Sequence, residues 1–239
     1  MNRDDLLGGN VLVTGATGGI GQAIARAFAA RGASLVLTGR RTEVLEPLAG
    51  ETGARVLGVD LSARDEVERL VREAGPVDVL VNNAALPGSG DVSDYSVEEI
   101  DRALEVNLRA PIVLSKLIGE EMRARRRGHI VFISSISGKA AQTGSALYSA
   151  TKFGLRGFST SVREDWRDDG VGVSAVFPGF IRDAGMFAES GTKLPPGTGT
   201  NTPDEVADAV IRAVADNRAE IDVAPVALRL GAKFAGLAP

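Results

Sequence analysis

The sequence predicts an α/β fold, a doubly wound parallel sheet of about seven strands with helices on both faces, built as one domain over residues 1–239. Three observations carry this. Short β-rich runs alternate with longer helical patterns from end to end, the order that right-handed βαβ crossovers require. The β-rich runs are continuously apolar rather than alternating, as strands covered by helices on both sides are. The length of 239 residues suits one ordinary α/β domain with a sizeable core, and neither a repeat nor a linker divides it.

Residues 10–14 read as the first strand. A helix follows over 19–31, because Ile20, Ala23, Ile24, Ala27 and Phe28 fall on one stripe. Residues 34–38 form the second strand and 42–51 a helical stretch. Further buried strands are expected at 55–59, 77–81, 129–134, 171–177 and 220–224, with helical patterns near 63–74, 97–126, 146–168 and 204–216. The span 183–202 is rich in Gly, Pro, Thr and Ser and exceeds a plain connection, so it is expected to be a lid or binding loop. The C-terminal tail, 226–239, places Val226, Leu230, Phe234 and Leu237 on one side and Arg229 and Lys233 on another. Such a tail lies on a membrane or, more commonly, packs on the body or on a neighbouring subunit.

Composition excludes several function classes. Lys+Arg 27 against Asp+Glu 31 gives a net charge of −4, which does not predict a nucleic-acid binder. No apolar run approaches the roughly 18 residues of a membrane span. The start Met1-Asn2-Arg3-Asp4-Asp5 lacks the shape of a secretory signal, so a cytoplasmic location is expected. With no Cys and one His, His129, the chain has almost nothing from which to build a metal centre or a Ser-His-Asp enzyme, and no metal is expected. His129 itself, ahead of an apolar strand and without a partner histidine, reads as structural. The conspicuous residue is Gly, 29 in all.

The first strand runs into Thr14-Gly15-Ala16-Thr17-Gly18-Gly19-Ile20-Gly21, and a helix follows. Strand end, bare backbone and helix N-terminus together make a Rossmann-type turn, in which orphan N–H groups and the helix dipole favour a pyrophosphate. Gly15, Thr17, Gly18, Gly19, Ile20 and Gly21 are therefore candidate cofactor contacts. An acid at the end of the second strand would accept ribose hydroxyls. This chain has Thr38-Gly39-Arg40-Arg41 instead. Two guanidinium groups there clamp a 2′-phosphate, with Thr38 and Gly39 making room, or else they only solvate the next helix. The missing acid and the present bases favour NADP(H), with NAD(H) the alternative.

Tyr148 and Lys152 stand four apart in a helical segment and share a face, and Ser135 lies thirteen residues before Tyr148, just past an apolar strand. With Asp60-Leu61, Asn82-Asn83-Ala84-Ala85, Asn107, Ser134-Ser135 and Pro178-Gly179, this ordered set resembles the short-chain dehydrogenase/reductase family of the classical type, from the first strand to about residue 224. The physics suits the resemblance. A free tyrosine titrates near pH 10. A neighbouring Lys152 ammonium and an oxidised nicotinamide are expected to stabilise the phenolate, so that Tyr148 exchanges a proton with a carbonyl or alcohol oxygen. Ser135 would hydrogen-bond the same oxygen. The resemblance further implies that Lys152 holds the nicotinamide ribose and that Asn107 carries a proton-resupplying water chain. It places Asp60 and Leu61 at the adenine, and Asn83, Ala84 and Ala85 with Asn82 under the adenosine half, although Asn82 equally reads as pinning the central strands. Pro178 and Gly179 form the turn beside the nicotinamide, and Ile181 touches its carboxamide through its backbone.

Two positions depart from the family pattern. Ala85 replaces a glycine, and Asp183 stands where many members carry a threonine that anchors the carboxamide. Asp183 either accepts the amide N–H and biases the site toward oxidised cofactor, unless Arg182 neutralises it, or caps a following short helix. Phe180, Met186, Phe187 and Leu194 suggest an apolar or amphipathic substrate or else pack the lid. Residues 123–127, Arg-Ala-Arg-Arg-Arg, suit a helix C-terminus, with docking of an acidic carrier or acyl thioester near the site entrance as the functional alternative. Trp166 and Val162 continue the buried stripe of the Tyr148 helix. Relatives pair through the two long helices, here near 97–126 and 146–168, which implies a homodimer or homotetramer. Gly154 and Gly157 would allow close helix approach there.

The reading is thus an NADP(H)-dependent oxidoreductase acting on a carbonyl/alcohol pair, with reducing cytosolic conditions favouring ketone or aldehyde reduction. Its rivals are a non-catalytic NADP(H)-binding redox sensor, an NAD-preferring alcohol dehydrogenase of the same family, and an epimerase or dehydratase on the same scaffold. The short segment after Gly179 leaves the last little room for a sugar-nucleotide domain.

Overall fold

The computed structural model describes residues 3–183 and 199–235. Seven parallel strands, β1 (Asn10–Thr14), β2 (Ser34–Gly39), β3 (Arg55–Gly58), β4 (Val79–Asn82), β5 (Gly128–Ile133), β6 (Val171–Pro178) and β7 (Glu220–Val223), form one sheet in the order β3-β2-β1-β4-β5-β6-β7. The strand order reverses between β1 and β4, so the crossovers diverge there and leave a crevice at the carboxyl edge.

The strand period of two builds two cores. Val11, Val13, Val79, Val81, Val131 and Ile133 point to one face, where they meet α2 (Gly19–Ala29) through Ile24 and Phe28, α3 (Thr42–Thr52) through Leu45, and the helix Pro203–Ala215 through Val206, Val210 and Val214. Leu12, Leu80, Ile130 and Phe132 point to the other, against α4 (Arg64–Ala74), α6 (Ala110–Ala124) and α7 (Ala146–Asp165). We number Pro203–Ala215 α8. A short α1, Asp4–Leu7, which the sequence pattern did not predict, buries Leu6 and Leu7 in the first core. Among the described residues no helix is long and apolar enough to cross a membrane.

The single helix expected near 97–126 is in fact α5 (Val97–Leu104), a π-turn (Glu105–Arg109) and α6. Within the π-turn the Ala110 N–H bonds Glu105 O. The covalent reason lies four residues past Asn107. Pro111 has no N–H to return to the Asn107 carbonyl, so the α-ladder cannot run through unchanged.

The C-terminal helix, α9 (Val226–Ala235), corrects a second expectation. It does pack on the body, but with Leu228 and Ala232 against Ile136, Ala140 and Ala224. Val226, Leu230 and Phe234, expected to be the packing stripe, face outward and are exposed. Leu237 lies outside the described residues.

His129 is structural, as expected. It is fully buried, Nε2 pairs with Ser174 Oγ at 2.8 Å and Nδ1 lies 3.2 Å from Arg3. Burial, then Arg3 and Arg163, pushes it down to about 3, which keeps the imidazole neutral. Val162 is buried as expected, whereas Trp166 is half-buried, its ring seated over Gly119, where a Cβ would fall 2.4 Å from it. The Arg123–Arg127 cluster is not at the site entrance. It directly precedes the amino end of β5, and its guanidinium groups are spent on Asp169, Asp78 and the carbonyls of Val77, Asp168 and Asp5. The Gly154 face meets Leu108 of this chain, while the Gly157 face is open.

Candidate active site

A groove of about 560 Å³ opens at the carboxyl ends of β1, β2 and β4, at the strand-order reversal. One wall is the turn after β1, with Gly15, Thr17, Gly18, Gly19, Ile20 and Gly21. The others are Thr38–Arg41 after β2, Val59–Leu61 after β3, and Asn83, Ala84 and Ala85 continuing to Ser89 after β4. Arg102 and Val106 reach it from α5 and the π-turn.

The glycine turn takes its shape from contacts with β4. Gly15 has φ +64°, and a Cβ on it would lie 2.6 Å from Ala84 Cα. Asn83 Nδ2 donates to the carbonyls of Thr14 (2.9 Å) and Gly15 (3.0 Å), while Thr14 Oγ1 accepts from the N–H groups of Asn83 and Ala84. Asn83 is therefore the residue that pins the central strands; buried Asn82 instead donates to Ser115 on α6. The role of Thr14 was not foreseen, although a threonine at a strand end is a ready acceptor for a crossing backbone.

The lining fits a dinucleotide. Gly18 starts α2 with no side-chain cap, so the first N–H groups of the helix are left for a ligand. A Cβ on Gly18 would meet nothing nearer than 3.8 Å, so its bareness serves the groove rather than packing. Thr38 Oγ1 is buried without a partner in the groove wall. Arg40 and Arg41 are exposed at the rim, and among the described residues neither makes an ion pair. Gly39 lines the groove as expected and also serves packing. A Cβ there would strike Thr17 Cγ2 at 2.7 Å, so this glycine also lets β2 approach the glycine turn.

The acid–base candidates lie beside this groove, across the loop after β4. A Cβ on Gly88 would sit 3.0 Å from Tyr148 N, so that loop runs directly along the start of α7. Tyr148 faces Ser135, whose Oγ accepts from Ser137 N at 3.1 Å. Lys152 is buried, with Nζ donating to Ile133 O at 2.9 Å and standing 5.4 Å from the Tyr148 ring centre. Gly138 lets this turn touch α7, because a Cβ would fall 2.8 Å from Lys152 O. The electrostatics of the protein alone run against the expected lowering of Tyr148. Burial pushes its hydroxyl up to about 12, against the pull of Ser135. Burial likewise brings Lys152 down to about 8. A base in this pocket thus needs positive charge beyond what the chain supplies, whereas a proton donor needs none.

Asn107 is buried in the π-turn, its Oδ1 accepting from Leu86 N at 2.6 Å and its Nδ2 donating to Leu86 O at 2.9 Å. The amide thereby holds the loop after β4 against α5 and α6. Pro178 ends β6, and Gly179 follows with its N–H on Val223 O; a Cβ there would lie 3.0 Å from that of Ala224. Ile181 forms a parallel bridge to Asn201 through the Phe180 carbonyl and the Arg182 N–H, which turns its own N–H and C=O to the opposite side. Asp183 adopts φ +68° and lies 3.5 Å from Arg182 in an exposed ion pair. Met186, Phe187 and Leu194 of the expected lid fall outside the described residues, as does any helix that Asp183 would cap.

Comparison with known proteins agrees with this geometry. The profile of the family described as short chain dehydrogenase matches residues 9–195. A protein named ketoacyl reductase HetN, from Nostoc sp., is 34% identical over 227 residues, covering 91% of this chain and 79% of its own. Nodulation protein G of Rhizobium sp. is 42% identical over 186 residues, 75% of this chain and 76% of its own. Among solved structures, a short-chain dehydrogenase from Sphingobium yanoikuyae in complex with NADPH superposes with a TM-score of 0.81 at 28% identity, covering 94% of this chain and 91% of the other. With its switch-point groove, its glycine turn and a family match over most of its length, this chain belongs to the short chain dehydrogenase family.

Proposed function

We propose that the chain is an NADP(H)-dependent oxidoreductase that reduces a ketone or aldehyde to an alcohol. The observation that carries the reading is the buried Lys152 ammonium, 5.4 Å from the Tyr148 ring centre and held by the Ile133 carbonyl, with Ser135 facing the same tyrosine, beside a dinucleotide-sized groove. The nicotinamide supplies the hydride when bound. Ser135 Oγ orients the substrate oxygen, and Tyr148 Oη delivers a proton to it. Burial keeps the Tyr148 hydroxyl protonated before the cofactor binds, so the proton is in place when the substrate oxygen needs it. Lys152 holds positive charge beside the developing phenolate and is itself kept in place by the Ile133 carbonyl. Asn107 fixes the loop that carries Ala84, Ala85 and Leu86 along the groove.

Gly15 to Gly21 with the α2 N-terminus hold the pyrophosphate, Asp60, Leu61, Asn83, Ala84 and Ala85 the adenosine half, and Pro178, Gly179, Ile181 and Asp183 the nicotinamide end. Exposed Arg40 and Arg41 at the groove rim, with no acidic residue at the end of β2, support NADP(H) over NAD(H). The relative named ketoacyl reductase supports a carbonyl substrate, apolar or amphipathic in the rest of its body. Exposed Val97, Leu104 and Phe153 on α5 and α7, with the open Gly157 face, support pairing with a second copy through these helices.

The test is a panel of carbonyl compounds followed at the nicotinamide absorbance, with Tyr148→Phe as control. Turnover with NADPH that falls by about 10²–10⁴ in kcat in the variant, at unchanged NADPH affinity, is the expected result. Tight NADPH binding without turnover across the panel would refute the catalytic reading in favour of a sensor.

A further inference from the structure

Arg102 was not singled out by its sequence context, which reads as an ordinary charged position on an amphipathic helix. The structure gives it a specific place. It lines the groove one helical turn before Val106, which also lines it, and its Nη2 lies 3.2 Å from Asp60 Oδ2. The neighbouring carboxylate does not compete for it, since Glu105 is taken by Arg64 and Arg109.

Asp60 is held from both sides. Ser62 donates to its Oδ1 twice, from N–H at 3.0 Å and from the hydroxyl at 2.7 Å, while Arg102 secures Oδ2. Burial alone would raise this carboxyl, but the Ser62 bonds, then Arg102 and Arg40, hold it below the usual carboxylate range. With 44% and 36% of the two side chains exposed, the Arg102–Asp60 pair adds little to folding stability. What it fixes is the orientation and ionisation of an acceptor in the groove wall. An ionised carboxylate accepts and cannot donate. The two Ser62 donors fill Oδ1, so it is Oδ2, bonded once by Arg102, that keeps a lone pair for a ligand amine and opposes a ligand carbonyl.

We propose that Arg102 is a positioning residue for purine recognition: by clamping Asp60 it makes the groove select a purine bearing an exocyclic amine over one bearing a carbonyl at that position. The inference rests on the NADP(H) reading and assigns Arg102 no contact with the reacting atoms.

The experiment measures dissociation constants from the fluorescence of the bound reduced nicotinamide, using NADPH and its hypoxanthine analogue. Wild-type protein is expected to bind NADPH about tenfold or more tightly than the analogue. Arg102→Met keeps the stem over the groove and removes the clamp. It is expected to weaken NADPH several-fold while leaving the analogue nearly unchanged, so that the preference collapses. Arg102→Lys, with charge but no planar fork, falls between. Equal weakening of both ligands in Arg102→Met would overturn the proposal, since it would make Arg102 a general phosphate-attracting charge. An unchanged preference would overturn it too. Wild-type protein that binds neither ligand would instead sink the NADP(H) reading and the inference with it. Urea unfolding midpoints for both variants within experimental error of wild type exclude loss of fold as the cause of any change.

Discussion

The glycine turn yields a prediction whose size follows from two backbones. Gly15 and Gly53 share nearly the same left-handed conformation, φ +64° and +69°, yet their surroundings differ. A Cβ on Gly53, at the C-terminus of α3, meets nothing within 4 Å; one on Gly15 lies 2.6 Å from Ala84 Cα and 2.9 Å from Ala84 N. Gly53→Ala therefore measures the left-handed cost alone, about 1–2 kcal/mol. Gly15→Ala adds an overlap that no side chain can swing away from, because Ala84 is held by Thr14 and its neighbour Asn83 by the Thr14 and Gly15 carbonyls. Overpacking of that kind costs about 1–3 kcal/mol more. For a chain of this size each kcal/mol lowers Tm by about 2–4 °C. The expected losses are thus about 2–8 °C for Gly53→Ala and about 4–20 °C for Gly15→Ala. Calorimetry with urea titration alongside measures both, and NADPH binding should weaken only in Gly15→Ala. Equal destabilisation in the two variants would refute the argument that close approach to β4, rather than chirality, is what Gly15 serves.

Replacing Arg40 and Arg41 together with Ala should raise KM for NADPH by about tenfold or more and leave KM for NADH within about twofold, because only the 2′-phosphate distinguishes the two; steady-state kinetics with both cofactors decides. His129 predicts a pH dependence of folding. Its folded value of about 3 lies below the ordinary 6.5, so below pH 6.5 the unfolded chain takes up a proton that the folded chain refuses. Stability is therefore complete above pH 6.5 and falls as the pH drops toward 3, by at most about 1.4 kcal/mol per pH unit. With a single histidine in the chain, the slope between pH 6.5 and 5 belongs mainly to this residue. Urea midpoints in His129→Gln should flatten over that interval, and an unchanged slope would show that the imidazole is charged in the fold.

What was legible in the sequence was what is local. The strand–glycine–helix turn, the basic pair after β2 and the Tyr148–Lys152 spacing each fall within one element, and the strand runs lay within two residues of their ends. What was not legible depends on which distant backbone arrives. Asn107 carries a recognisable role only by resemblance, since its partner Leu86 is 21 residues away. The break at the π-turn was in plain view, because Pro111 removes the N–H that Asn107 would have used. In α9 the periodicity revealed a stripe but not the side that packs; that side is set by where Ile136, Ala140 and Ala224 arrive, and they meet Leu228 and Ala232. The arginines at 123–127 do end a helix, as their pattern suggested, and only the docking alternative fails, since residues leading into a parallel strand lie at its amino edge, away from the ligand side. Arg102 carries no local signal, because its partner Asp60 is 42 residues away.

The knot between the β1 turn and β4 also sets an order of events. Asn83 and Thr14 are separated by 69 residues, a span that includes β2, β3 and the helices around them. A bond of that reach is closed late, because the intervening chain must first surrender its freedom. On a ribosome the phosphate-binding loop emerges early, but it has nothing to lean on until the Asn-Asn-Ala segment has been made. Nucleotide capture by this chain is therefore a readout of long-range assembly, absent from any nascent fragment that stops short of β4.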